Sequence, residues 1–104
     1  MTQHANLING QWAAAKCQIP NTNPSELSDV IGDYAQGDAA DVDNAVAAAA
    51  AAFPAWSTSG IQARHDALDK IGTEILARKD ELGELLAREE GKVRAEAIGE
   101  VARA

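Results

Sequence analysis

Hydrophobic and polar positions change their rhythm once along this chain. Up to residue 36 the apolar residues come in short runs set off by turn formers. Leu7-Ile8-Asn9-Gly10-Gln11-Trp12 has Ile8 and Trp12 flanking an Asn-Gly pair, and both turn residues tolerate the positive φ of a type I′ hairpin. Residues 13–18 read as a connector. Ile19-Pro20-Asn21-Thr22-Asn23-Pro24 and the serines after it read as a turn. Asp29 to Ala35 then reads as a strand, with Val30 and Tyr34 on one face and Ile31 and Ala35 on the other. Two ribbons this short need a partner surface.

From Gly37 the period is helical. Asp38 suits an N-cap, and Asp41 favours the positive end of the helix dipole. Val42, Ala45, Val46, Ala49 and Phe53 form one face, and Pro54 is expected to end or kink that helix. Trp56 to Gly60 reads as a break, with Ser59 and Gln62 as a capping box. A second helix follows to about Lys79, with Ile61, Leu68, Ile71, Ile75 and Leu76 as its buried stripe. A third starts near Asp80 on Leu82, Leu85 and Leu86 and stops at Gly91-Lys92. A fourth begins near Arg94 with Ala97, Ile98, Val101 and Ala102 in phase, and no stop signal closes it. The expected class is α+β: two β-ribbons over residues 1–36, then about four α-helices over 37–104.

Composition narrows the partners. Nine Lys+Arg against 16 Asp+Glu leave a net charge of −7 in 104 residues. Phosphate binding needs a basic face, so neither nucleic acid nor an anionic membrane is expected. Apolar residues make up 46%, but many are alanine and aromatics are only 4%. The core available to the chain alone is therefore thin. The single cysteine, Cys17, excludes an internal disulfide and a cysteine-cage metal site. With no leader-like start, the expected compartment is the cytoplasm.

Candidate chemistry is sparse. His4 lies in a tail expected to fray, and His65 sits beside Asp66 with no nucleophile to serve. Cys17 falls in a connector without an evident base. Asp80-Glu81 and Glu89-Glu90 are neighbours on helices and diverge by about 100°, so neither pair forms a catalytic dyad. The Gln36-Gly37-Asp38 junction has one glycine where a dinucleotide fingerprint has three. No catalytic and no cofactor-binding residue is assigned, and no metal-ligand spacing is seen.

The order of the pieces is more specific than any one of them. Leu7 to Trp12, Asn23-Pro24, Val30-Ile31-Gly32 and Gly37 to Val46 stand in series. Ala52-Phe53-Pro54-Ala55-Trp56, Arg64, Leu68, Ile71, Glu81 to Leu85, Glu90-Gly91-Lys92, Glu96-Ala97 and Gly99-Glu100-Val101 continue it. This series resembles the opening of the aldehyde dehydrogenase superfamily, and Ser59 to Leu68 looks like its branch for semialdehydes such as 2-oxoglutarate semialdehyde. The chain departs from many relatives at Glu89 to Val93. The resemblance implies a fragment of the α/β aldehyde dehydrogenase fold, from a subunit that oxidises an aldehyde to a carboxylate with NAD or NADP. In the family a cysteine thiolate attacks the aldehyde, hydride passes to the nicotinamide, and a glutamate assists hydrolysis of the thioester. Those groups are expected downstream, so this chain alone is expected to be inactive and to bind no cofactor. The partners implied are the rest of the same subunit and, at full length, a homo-oligomer. Several family members hold a structural monovalent cation with main-chain carbonyls just before the Asn-Pro turn and an acidic residue on the fourth helix; the corresponding positions are Asn21, Thr22 and Glu100, and relatives often have Asp where this chain has Glu. A stand-alone acidic helical interaction module and a general acidic scaffold remain the alternatives. The thin core predicts that the isolated chain is marginally folded or aggregates.

Overall fold

The computed structural model describes residues 2–104. Among the described residues five strands precede four helices: β1 (Gln3–His4), β2 (Asn6–Ile8), β3 (Gln11–Ala13), β4 (Cys17–Thr22), β5 (Val30–Gln36), α1 (Ala39–Thr58), α2 (Ile61–Ala77), α3 (Lys79–Glu90) and α4 (Arg94–Arg103). They fall into two compact units that cut across the change from strand to helix. One holds residues up to Asn21 and Ile31–Ser59, the other Thr22–Val30 and Gly60–Ala104.

In the first unit β2 and β3 form an antiparallel hairpin with Leu7 opposite Trp12 and Ile8 opposite Gln11. Asn9 and Gly10 take φ of 53° and 72°, as a type I′ turn requires. β1 and β4 flank β5, and β1 runs parallel to β5 with His4 opposite Tyr34. The tail expected to fray is thus a strand. The His4 ring stacks on Tyr34 with centroids 4.5 Å apart, and backbone pairing adds to that contact. A second difference concerns residues 17–22, expected as connector and turn. They form β4 with Pro20 inside it, a placement that suits the edge of a sheet, where a missing N–H costs no ladder bond.

Helix α1 begins as its sequence indicates. Asp41 N–H donates to Asp38 Oδ1 at 3.0 Å and Asp38 N–H donates to Asp41 Oδ2 at 2.9 Å, a reciprocal capping box. Pro54 does not end the helix, which runs on to Thr58. Proline forfeits one backbone bond, and the hydroxyls of Ser57 and Thr58 donate to the Pro54 carbonyl at 3.1 and 2.8 Å. The expected Ser59–Gln62 capping box does not form. Ser59 Oγ donates back to the Trp56 carbonyl at 2.7 Å, Gln62 Nε2 donates to Asp66 Oδ1, and Gly60 is the N-cap of α2.

The second unit is organised by α3 and α4. Ala97 is fully buried and Gly83 is buried opposite α4. A Cβ on Gly83 would lie 2.5 Å from Ile98 Cγ1 and 2.8 Å from Ile98 Cα, so glycine is what lets the two helices touch. Gly91, at φ 70°, closes α3, and its N–H donates to the Ala87 carbonyl at 2.9 Å.

The expected buried stripes are exposed. Val42, Val46 and Phe53 on α1 lie open to solvent, as do Ile61, Leu68, Ile71 and Leu76 on α2. Helical phase puts these residues on one face. Burial needs an opposing surface, and neither unit has one for them. Among the described residues no helix is long and apolar enough to cross a membrane.

Candidate functional site

Cys17 opens β4 and is exposed. It lines an open hollow of about 220 Å³ with Lys16, Gln36, Gly37 and Asp38. A nucleophilic thiol needs a base or a free positive charge to stabilise its thiolate. Here Lys16 Nζ donates to Asp38 Oδ2 at 3.0 Å, and Asp38 also caps α1. Those hydrogen bonds hold Asp38 below the usual carboxylate range, Lys16 first and the Asp41 backbone next, and the same Asp38 bond raises Lys16. Both charges in the hollow are therefore committed to the start of the helix.

His65 Nδ1 lies 3.3 Å from Asp66 Oδ1 on α2, with both side chains exposed. That carboxylate oxygen also accepts from Gln62 Nε2 at 2.7 Å. An imidazole beside a carboxylate is half of a proton-transfer arrangement; a reacting group within reach is the other half. Glu81 receives a two-pronged grip from Arg78, at 3.0 and 2.6 Å, which depresses its pKa. Among the described residues no group of three or more His, Cys, Asp or Glu is arranged to hold a metal ion.

A polar cluster that the sequence does not announce joins Asn23, Asp29 and Arg88. Asn23 begins a closed loop: its N–H donates to the Asp29 carbonyl at 3.0 Å, and its Nδ2 donates to Asp29 Oδ2 at 3.1 Å. Ser25 N–H donates to Asn23 Oδ1 at 2.9 Å, setting the Asn-Pro turn. Arg88 on α3 then binds Asp29 with two hydrogen bonds, which with Asn23 holds the Asp29 carboxyl down at about 2. Asn-Pro is visible in the sequence as a turn. An arginine 59 positions away carries no local signal that it will meet Asp29.

The three residues that the resemblance marked for a cation are placed as follows. Asn21 and Thr22 end β4, in the first and second unit respectively. Glu100 lies on α4, where its Oε1 accepts from Lys92 Nζ.

The aldehyde dehydrogenase family pattern matches residues 12–104. The chain belongs to the aldehyde dehydrogenase family. It is 41% identical over 101 residues to an α-ketoglutarate semialdehyde dehydrogenase of Haloferax volcanii, covering 95% of this chain and 21% of that protein. An N-succinylglutamate 5-semialdehyde dehydrogenase of Chromobacterium violaceum is 39% identical, with 90% and 19% covered. Among solved structures, a 3,6-anhydro-L-galactose dehydrogenase in complex with NAP superposes with a TM-score of 0.91 at 29% identity, covering 97% of this chain and 21% of that one. An NAD-dependent aldehyde dehydrogenase from Sinorhizobium meliloti gives 0.90 at 32% identity, with the same coverage. The four helices and short strands are thus a piece of the aldehyde dehydrogenase fold. The chain spans about a fifth of the length of the curated relatives it matches.

Proposed function

We propose that this chain is the N-terminal part of an NAD(P)-dependent aldehyde dehydrogenase that oxidises a semialdehyde to a carboxylate, and that residues outside it carry the catalysis. The observation that carries the reading is the similarity over nearly the whole chain to dehydrogenases named for 2-oxoglutarate and N-succinylglutamate semialdehydes. The similar solved structures, one a dehydrogenase in complex with NAP and the other an NAD-dependent aldehyde dehydrogenase, support the cofactor class. The open Cys17 hollow and the exposed His65–Asp66 pair offer no competing site.

On this reading the chain contributes structure. The rest of the subunit covers the open apolar faces of α1 and α2, and full-length subunits assemble as a cytoplasmic homo-oligomer. Burying such faces supplies binding free energy without a local site.

The test has two arms. A protein that continues this chain to the length of its relatives is assayed for NADH or NADPH formation with 2-oxoglutarate semialdehyde and with a plain aliphatic aldehyde. Faster turnover of the semialdehyde is expected, and absence of aldehyde oxidation overturns the reading. The 104-residue chain, titrated with NAD by calorimetry, is expected to release no binding heat. Micromolar binding would show a cofactor site within it.

A further inference from the structure

We infer that Lys92 is a built-in counter-ion for α4, so that its ammonium, rather than a bound monovalent metal ion, neutralises Glu100. The inference concerns the second unit alone and does not depend on which aldehyde the whole protein uses.

The geometry starts at Gly91. Its left-handed backbone ends α3 and turns the chain, so the next side chain reaches back over α4. Lys92 Nζ donates to Glu100 Oε1 and lies 3.4 Å from Glu90 Oε2. The Lys92 side chain is only 23% exposed, so the ammonium is held against the helices and not waving in solvent. Arg103, one turn further along α4, adds positive charge beside Glu100. Two carboxylates, Glu90 and Glu100, thus share one ammonium supplied by the chain itself.

A hard cation seeks several oxygen ligands around one point. At Glu100 it would also sit within a few ångströms of a fixed ammonium of like charge. The surroundings of Glu100 therefore do not fit a metal ion, although the family resemblance marks that position as a candidate cation ligand. The proton-bearing nitrogen of Lys92 takes up the carboxylate's charge instead.

Amide hydrogen exchange across α4 tests this on the whole chain in NaCl, KCl and choline chloride at equal ionic strength. Equal protection in all three salts is expected, with a severalfold loss in all three for Lys92→Met. Protection that rises in NaCl or KCl over choline chloride, and disappears in Glu100→Gln, overturns the inference, because the carboxylate then holds a metal ion. It is equally overturned if Lys92→Met leaves protection in choline chloride unchanged. An α4 that is unprotected in the unaltered chain overturns it too, since the pair then does not hold the helix.

Discussion

Arg88 holds Asp29 with both prongs of its guanidinium, Nε to Oδ2 at 2.9 Å and Nη2 to Oδ1 at 2.6 Å. The pair ties the loop that starts at Asn23 to α3, and both side chains are about two-thirds shielded, at 36% and 28% exposure. Planar two-point recognition of this kind is specific to arginine. The Asp29 carboxyl, brought down to about 2 from an ordinary 3.8, binds its proton less readily in the folded state than in the unfolded one. Its contribution to stability is therefore fully present above the unfolded value and is lost as the pH falls from about 4 towards 2. Protection of the amides in residues 23–29, measured against their intrinsic exchange rate at each pH, is expected to fall over that window. Arg88→Met should remove most of this pH dependence, and Arg88→Lys, which keeps the charge without the fork, should retain part of it.

Gly83 predicts a steric result. A Cβ there meets Ile98 at both side chain and backbone, so the backbone contact cannot be relieved by a rotamer change. Gly83→Ala is expected to destabilise the α3–α4 pair by about 1–3 kcal/mol, the usual range for overpacking a close contact. Urea unfolding followed by circular dichroism checks it. Gly72 and Gly99, which have open space at the Cβ position, provide controls, and Gly72→Ala should be neutral or stabilising.

Gly91 combines two demands, and they should separate by mutation. Its φ of 70° penalises any side chain by roughly 1 kcal/mol. A Cβ would also approach Ser25 Oγ to 2.7 Å and Pro24 Cγ to 3.0 Å. Gly91→Ala is expected to loosen the Asn23–Asp29 loop and lower the urea midpoint. Adding Ser25→Ala should recover only part of the loss, because the backbone strain and the Pro24 contact remain.

The open apolar residues predict behaviour in solution. Phe53, Val46 and Trp12 are 65%, 63% and 74% exposed. The isolated chain is expected to bind a hydrophobic dye and to self-associate in sedimentation experiments as its concentration rises. Val46→Ser with Phe53→Ser should reduce both effects while leaving helical content nearly unchanged, since neither side chain packs into the unit. A sharp, cooperative unfolding of an unaltered monomer without dye binding would contradict this.

Much of the local structure was legible in the sequence because local rules decide it. Asn9-Gly10 specifies its hairpin through backbone freedom, Asp38 with Asp41 specifies where α1 starts, and Gly91 specifies where α3 stops. The ordered series of short motifs also carried the family, since order and spacing survive where single residues vary. Local rules failed where two readings compete. Pro54 marks a possible helix end, but a proline removes only one backbone bond from a helix, and this helix runs on to Thr58. Ser59 has a hydroxyl that fits the next N-terminus and the previous C-terminus, and its geometry chose the latter.

Tertiary structure alone decided which helical faces are covered. Periodicity marks Val42, Phe53, Ile61 and Leu68 as apolar faces, but burial depends on a second surface, and within each unit none meets them. It also decided the long-range charge pairs. Arg88 selects Asp29, and Lys92 selects Glu100, because helix packing and the Gly91 turn bring those groups together in space. The physical reason is one of range: turns and caps are settled by a few neighbouring residues, whereas burial and ion pairing depend on where distant parts of the chain come to rest.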